Sequence, residues 1–341
     1  MLQLLSKHKS LLIHVKLKES DYYMNQDKIA ILMSTYNGEQ YLTEQIKSIQ
    51  NQSNHDWHLY IRDDGSSDKT TSIIESFAEN DQRITFINKD NISNVGVIES
   101  FIRLLKYTDA DFYMFSDQDD IWKEDKVQRA LDLVKQENYQ QFPICLHTEL
   151  QIVNDSLRPI ELMKRGRVWS DFQHFLFGNC VTGCTVMINQ KLKDKLRLNM
   201  LDTNKIAMHD WWFAEVASAF GKVIYDSVPS ILYRQHVDNV VGGSDSQAPK
   251  QLVNRFFNLS GELDGFLLMT KMATEFQRLY GNELNGKNAE YLTAYSTLAS
   301  QSSFTNNLKL AIKLPPIRSH LRGRLLLDYL MISHPDKFLS N

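Results

Sequence analysis

The stretch FYMFSDQDDIWKEDK, residues 112–126, joins an apolar run to three aspartates within four positions. Residues 112–115 have the apolar, aromatic character of a buried strand, and Asp117, Asp119 and Asp120 follow where that strand should end. Carboxylates this close repel one another and raise each other's pKa, so a fold that keeps them ionised needs a cation or hydrogen-bond donors beside them. The stretch therefore predicts a strand that ends in an acidic ligand site.

The chain on the N-terminal side of this stretch alternates between strand and helix patterns. Apolar runs predict strands, and apolar residues at helical spacing predict helices. The predicted strands are KIAILMST (28–35), WHLYIRDD (57–64) and RITFIN (83–88), and the predicted helices are EQYLTEQIKSIQNQ (39–52), TSIIESFAEN (71–80) and residues 97–107. This alternation predicts an α/β protein with a mainly parallel sheet flanked by helices.

Composition and charge narrow the class of protein. The chain has 341 residues, is 43% hydrophobic and carries a net charge of −3, which is typical of a globular protein with a large core. This charge gives no whole-molecule attraction to nucleic acid, so we expect no nucleic-acid partner. The three cysteines suit core positions in a reducing compartment, and no run approaches the roughly 18 apolar residues of a membrane span. We expect a cytoplasmic location for the active part.

Polar residues follow three of the predicted strands, where the loops of a parallel sheet meet and ligands bind. Tyr36 and Asp64 follow the first two strands, and the aspartates of the opening stretch follow the fourth. Strand alternation predicts that Asp117 and Asp119 project together and that Asp120 points elsewhere, at a helix N-terminus. Two such oxygen donors suit a hard cation such as Mg²⁺ or Mn²⁺.

Five motifs occur in an order that resembles the family 2 glycosyltransferases with the GT-A (Rossmann-like) fold. They are MSTYNGEQYLTEQIKSIQNQ (33–52), IRDDGSSDKT (61–70), FSDQDD (115–120), HDWW (209–212) and YRQHVDN (233–239). The resemblance covers about residues 28 to 240 and is specific as a combination. Through the motif SDQDDIW, the chain is most similar to bacterial rhamnosyltransferases that build cell-wall or capsular polysaccharide.

The resemblance implies a domain organisation. Residues 1–27 would be an N-terminal extension, and residues 28–245 would form the GT-A domain. Within it, residues 28–120 would be the nucleotide-binding half and residues 121–245 the acceptor half, which includes two further predicted strands, PICLHTELQIVN (143–154) and GNCVTGCTVMIN (178–189). Residues 246–341 would form a C-terminal helical region.

The resemblance also implies roles for individual residues toward a nucleotide-diphospho-sugar. Asp64 would accept the imide N3–H of uracil or thymine, with Asp63 supporting the turn. The other donor-binding residues would be Ser34, Tyr36, Asn94, Asp117 and Trp211. Trp211 equally suits core packing, and Asn94 equally suits a shaping role in its loop.

The metal and the base complete the implied site. Asp119 is the stronger ligand for Mn²⁺ or Mg²⁺, Asp117 reaches the ribose or the metal through water, and His236 completes the metal or diphosphate site. His236 equally suits a surface loop, and Arg234 could pair with phosphate or with a helix carboxylate. Asp210, on the first turn of a helix, would be the base that accepts the proton of the acceptor hydroxyl, so one displacement would invert the anomeric centre.

Several properties of the reaction stay open at this point. The donor is dTDP-rhamnose or a UDP-sugar, since no Lys or Arg occurs from Asp90 to Ile102, where relatives often supply a cation. The acceptor is a saccharide or a lipid-linked saccharide, and a homodimer is compatible with the C-terminal helices. The sequence has no Q-x-x-R-W motif of processive family members, which favours addition of one sugar per encounter.

Residues 304–333 interleave five cations with leucines, and Asp328 is their only acidic residue. This pattern suits peripheral contact with an anionic membrane, on the inner face of the plasma membrane, and it equally suits a helix packed on the protein with a solvated basic face.

Two other classes of function compete with glycosyl transfer. A nucleotidyltransferase would normally have a glycine-rich, basic loop after the first strand, and MSTYNGEQ is not one. A catalytically silent carbohydrate-binding scaffold would not need to keep Asp64, Asp117, Asp119 and Asp210 together.

Overall fold

The computed structural model describes residues 27–154, 156–163, 167–234 and 259–339. The strands are β1 (Ile29–Thr35), β2 (Trp57–Asp63), β3 (Ile84–Phe86), β4 (Phe112–Ser116), β5 (Ile121–Trp122), β6 (Ile144–Thr148), β7 (Gln151–Val153), β8 (Pro159–Leu162), β9 (Met187–Asn189), β10 (Lys222–Asp226) and β11 (Ile231–Arg234). The helices are α1 (Leu42–Gln50), α2 (Thr70–Asn80), α3 (Val97–Tyr107), α4 (Lys126–Lys135), α5 (Phe172–Phe175), α6 (Gln190–Lys195), α7 (His209–Phe220), α8 (Leu259–Tyr280), α9 (Gly286–Ser296), α10 (Leu298–Gln301), α11 (Phe304–Lys313), α12 (Leu321–Ser333) and α13 (Pro335–Leu339).

Seven strands form the central sheet, in the order β10-β6-β9-β4-β1-β2-β3. β9 runs antiparallel to both of its neighbours, and the other four pairs of neighbouring strands are parallel. A second sheet of four strands has the order β5-β11-β7-β8. The prediction of a mixed, mainly parallel sheet flanked by helices is confirmed.

The core lies on both faces of the central sheet, which explains why β1 is an unbroken apolar run. Ala30 and Leu32 join one apolar cluster, while Ile31 and Met33 join the other. Helices cover each face, so neither side of the strand meets water.

The C-terminal helices are packed on this core. The ring of Phe276 on α8 lies 5.5 Å from Trp212 on α7, and both side chains are fully buried. Burying an aromatic side chain of this size contributes roughly 1.5–3 kcal/mol. The helices predicted after residue 246 are therefore present among residues 259–339 and share a core with the α/β part.

Two segments differ from the predicted strands. PICLHTELQIVN forms β6 and β7, which belong to different sheets. GNCVTGCTVMIN contributes only the short β9 after a 3₁₀ turn at Gly183–Thr185. The irregular part of the second segment lies beside the acidic residues described below.

Candidate active site

The carboxyl ends of β1, β2 and β4 lie together at one edge of the sheet. Thr35 is in register with Asp63, and Met33 is in register with Ser116. The chain continues from β1 toward β2 on one side and returns to β4 on the other, so this edge is the switch point of the sheet.

Asp63 holds the turn after β2. Its Oδ1 accepts the backbone N–H groups of Gly65 and Ser66 at 3.1 and 2.8 Å, and its Oδ2 accepts the hydroxyl of Thr35 at 2.9 Å. Gly65 has a φ of +90°, a conformation that L side chains rarely adopt. Asp63 thus has the supporting role that the resemblance implies.

The Asp64 carboxylate is buried and ties β2 to the start of α3. Its Oδ1 accepts from Arg62 Nη1 and from the Val95 N–H, both at 2.7 Å, and its Oδ2 accepts from the Gly96 N–H at 2.9 Å. Arg62 also donates to Ser100 Oγ at 2.5 Å. Since a carboxylate has about four acceptor positions, these bonds leave Oδ2 able to accept from a ligand.

Gln118, to which the sequence analysis assigns no role, joins two loops at this edge of the sheet. Its Oε1 accepts from the Tyr36 N–H and its Nε2 donates to the Tyr36 carbonyl, both at 2.9 Å. A Cβ on Gly38 would lie 2.2 Å from Gln118 Oε1, so a larger residue there would displace the Gln118 amide. The pair joins the β1–α1 loop to the acidic loop and holds Tyr36 at the rim with 52% of its surface exposed.

We expect Gln118→Glu to lower the free energy of unfolding by about 1–2 kcal/mol, because it removes one hydrogen-bond donor and sets a carboxylate against the Tyr36 carbonyl. Urea denaturation measures the change. Gln141→Glu, on an exposed residue, is the matched control and should stay within about 0.5 kcal/mol of the parent. Equal losses in the two variants would contradict a role for the amide pair.

Asp117, Asp120 and Cys184 lie so close that one ligand atom of each falls within 4.8 Å of the others. Burial, followed by the charge of Asp119, raises the pKa of Asp117 to about 7. Burial and the charges of Asp119 and Asp117 raise the pKa of Asp120 well above its usual range. The three aspartates therefore form one electrostatic cluster, which we call the acidic cluster.

The prediction that Asp120 points elsewhere, at a helix N-terminus, is wrong. β4 ends at Ser116, so strand alternation does not continue through the following four residues. α4 begins only at Lys126, and Asp120 is fully buried next to the short strand β5.

The acidic cluster fits a divalent cation of the Mg²⁺ or Mn²⁺ type. Carboxylate oxygens are the ligands such cations prefer, and a bound cation would relieve the repulsion among the three aspartates. Burial, then the neighbouring carboxylates, raises the pKa of the Cys184 thiol, which favours the protonated form over a thiolate ligand. His236, also predicted as a ligand, lies outside the described residues.

Asp210 lies beside the acidic cluster, on the first turn of α7. Its Oδ1 accepts from Asn179 Nδ2 at 3.3 Å and from the Trp211 N–H at 2.6 Å. Its charge contributes to the raised pKa of Asp117, after burial and Asp119. A Cβ on Gly183 would lie 3.0 Å from His209 Nε2 and 3.8 Å from Asp210 Oδ2, so a side chain there would crowd His209 rather than the Asp210 carboxylate.

The neighbours of Asp210 are mainly structural. Trp211 is half-buried and donates its indole N–H to the Phe175 carbonyl at 2.7 Å, while Trp212 is fully buried in the core. His209 packs against Phe101 with ring centroids 4.3 Å apart. Burial lowers its pKa to about 3, so His209 is neutral.

The remaining predicted residues lie around the same edge. Ser34 is half-buried on β1. Asn94 is exposed and lies against Gly65, since a Cβ built on Gly65 would be 3.3 Å from the Asn94 Cβ. Arg234 pairs with the helix carboxylate of Glu44, one of its two predicted partners.

A mainly parallel sheet with acidic side chains at its carboxyl edge defines an α/β protein with a ligand site at the switch point. The model of glycosyl transferase family 2 matches residues 30–193. The dTDP-rhamnosyl transferase RfbG of Shigella flexneri is 32% identical over 222 residues, which cover 63% of this chain and 75% of that protein. The chain therefore belongs to glycosyltransferase family 2 and has its GT-A fold.

Two other similar proteins differ in their named donors. The UDP-Glc:alpha-D-GlcNAc-diphosphoundecaprenol beta-1,3-glucosyltransferase WfgD of Escherichia coli is 26% identical over 170 residues, half of this chain and 63% of that protein. The mannosyltransferase PcManGT from Pyrobaculum calidifontis, solved in complex with GDP-Man and Mn²⁺, is 14% identical with a TM-score of 0.49. The match covers 92% of this chain and 88% of that one.

Proposed function

We propose that this glycosyltransferase is an inverting, metal-dependent and non-processive enzyme. It transfers L-rhamnose from dTDP-rhamnose to a saccharide or lipid-linked saccharide in the synthesis of a cell-surface polysaccharide. The observation that carries the proposal is the placement of Asp210 beside the acidic cluster. The similarity to a protein named as a dTDP-rhamnosyl transferase supports the choice of donor.

Donor binding is assigned to the edge formed by β1, β2 and the loop before α3. Asp64 would accept the N3–H of thymine or uracil on its Oδ2, while its bonds to Val95 and Gly96 fix the carboxylate in place. Tyr36 would cover the base or the ribose, and Ser34 and Asn94 would contact the donor from β1 and from the neighbouring loop.

The acidic cluster would hold Mn²⁺ or Mg²⁺ through Asp117, Asp119 and Asp120, with His236 as a further ligand. When bound, the ion would neutralise charge on the diphosphate leaving group. In the same proposal Asp117 would also reach the ribose, and Trp211 would form part of the wall around the sugar.

Asp210 would accept the proton of the acceptor hydroxyl while the oxygen of that hydroxyl bonds to the anomeric carbon of the donor. The bond from that carbon to the diphosphate breaks in the same step, and the nucleoside diphosphate takes the electron pair. One displacement of this kind inverts the anomeric centre. Asn179 and the Trp211 N–H hold one Asp210 oxygen, which positions the carboxylate for this role.

A UDP-hexose donor is the second candidate, favoured by the UDP-Glc named for the E. coli relative. With this donor, the same residues would have the same roles.

The proposed domain limits stay as the sequence analysis gives them, with an extension over 1–27, the GT-A domain over 28–245 and helices over 246–341.

Nucleotide release by the purified protein tests the donor. We expect release from dTDP-rhamnose, in the presence of Mn²⁺ or Mg²⁺ and membrane lipid extract, and none from UDP-glucose, UDP-galactose or UDP-N-acetylglucosamine. Release from a UDP-sugar alone would keep the enzyme class and replace the donor. Metal-dependent nucleotide binding without release from any of the four donors would favour the silent scaffold.

A further inference from the structure

Two neighbouring helices near the C-terminus expose apolar stripes to solvent. On α11 the stripe is Phe304, Leu308 and Ile312, and on α12 it is Leu321, Leu325 and Tyr329. Each stripe has the spacing i, i+4, i+8, which places its members on one face of the helix. Ile312 is 74% exposed and Leu321 is 68% exposed. We call these six residues the apolar stripes.

The stripes are separate from the faces that hold the helices to the protein. α12 buries Leu327, Leu330 and Met331 in the core, and α11 buries Asn307, whose Nδ2 donates to the Met331 carbonyl at 2.6 Å. The core contacts are therefore complete without the apolar stripes. Contiguous exposed apolar surface of this kind marks an interaction site on a soluble protein.

Charge distinguishes among the partners that could cover this surface. Lys309, Lys313 and Arg322 are exposed beside the stripes. Asp328, the only acid of residues 304–333, lies 3.7 Å from Arg324, and its side chain is only 15% exposed. Apolar side chains flanked by exposed cations, with no exposed acid among residues 304–333, complement an anionic lipid surface.

The helix pair is also connected to the proposed acceptor side of the active site. Arg318, between α11 and α12, has its Nη1 3.0 Å from where a Gly178 Cβ would lie. The next residue, Asn179, donates to Asp210. A surface held by α11 and α12 is thus linked through two adjacent residues to the carboxylate proposed as the base.

We propose that the apolar stripes and their flanking cations dock this protein onto an anionic lipid bilayer. The leucine, isoleucine and aromatic side chains enter the boundary between headgroups and acyl chains, and Lys309, Lys313 and Arg322 contact lipid phosphates. No helix in the described part of the chain is both long and apolar enough to span a bilayer.

Flotation with vesicles tests this docking without any sugar donor, so its outcome is independent of the proposed reaction. The probe is the full chain with vesicles of phosphatidylglycerol and phosphatidylcholine, compared with phosphatidylcholine alone. We expect binding to the anionic vesicles, weakened at least about tenfold by the combined Phe304→Ser, Ile312→Ser, Leu321→Ser and Leu325→Ser substitutions. Replacing Lys309, Lys313 and Arg322 by Gln should weaken it about a hundredfold, at roughly 1 kcal/mol per cation.

A matched control replaces four exposed apolar residues elsewhere: Tyr107→Ser, Ile160→Ser, Met200→Ser and Val228→Ser. It should bind anionic vesicles like the parent. Equal binding by the stripe variant and the parent would overturn the proposal, as would an absence of binding to anionic vesicles. A dimer in solution that the stripe variant alone dissociates, together with no vesicle binding, would assign the surface to a second copy of the chain.

Discussion

Asp210→Asn should lower turnover by about a thousandfold while leaving nucleotide binding within about twofold of the parent. The substitution keeps the shape and one acceptor oxygen for the bonds from Asn179 and the Trp211 N–H, so the first turn of α7 should persist. What it removes is the basic oxygen that would take the acceptor proton. The expected loss is therefore confined to the chemical step.

Steady-state nucleotide release, with donor binding measured by calorimetry in Mn²⁺, separates the two quantities. Asp264→Asn, an exposed aspartate on α8, is the matched control and should leave both unchanged. Turnover at the parental rate would show that another group is the base. Loss of donor binding together with turnover would show that Asp210 acts by holding the site together.

The fold of residues 28–120 could be predicted closely because its signals are local. The helix predicted over 97–107 is α3 with the same bounds, and the predicted strand 28–35 differs from β1 by one residue. Apolar residues at helical spacing predict such a helix, and an unbroken apolar run predicts a strand that is buried on both faces. Neither depends on a distant partner.

The later strands depend on pairing between distant parts of the chain. β9 inserts antiparallel between β6 and β4, and β7 pairs with β11 in another sheet. A run such as PICLHTELQIVN contains no local mark of the break between two sheets. The sequence therefore predicts the apolar segments but not which sheet each joins.

In the candidate site, too, some features follow from local sequence signals and others depend on distant parts of the chain. The convergence of three loops follows from parallel topology, and it was predicted from strand ends. The direction of Asp120 and the pairing of Gln118 with Tyr36 depend on irregular backbone after β4, where period-two alternation no longer applies. The aromatic surroundings of His209 come from α3, β4 and α7 together, so no single stretch of sequence shows them.

Asp117→Asn should have opposite effects on stability without metal and on function with metal. In metal-free protein it removes one of the mutually repelling charges of the acidic cluster, so the free energy of unfolding should rise by about 1 kcal/mol. In Mn²⁺ it removes a ligand, so turnover should fall by at least about a hundredfold. Electrostatic repulsion that lowers stability without the ligand and is needed to bind it is expected of a binding cluster and not of a solvated acidic loop.

Urea denaturation in EDTA and in Mn²⁺ measures both halves of this expectation. Mn²⁺ at about a hundred times its dissociation constant should stabilise the parent by about 2.7 kcal/mol, and should stabilise Asp117→Asn far less. Asp120→Asn and Asp119→Asn then identify the remaining ligands. Retained Mn²⁺ stabilisation in Asp120→Asn but not in Asp119→Asn would support the ligand set predicted from strand alternation. Full Mn²⁺ stabilisation in all three variants would show that the ion binds elsewhere, because removal of each carboxylate of the acidic cluster would then have left Mn²⁺ binding unchanged.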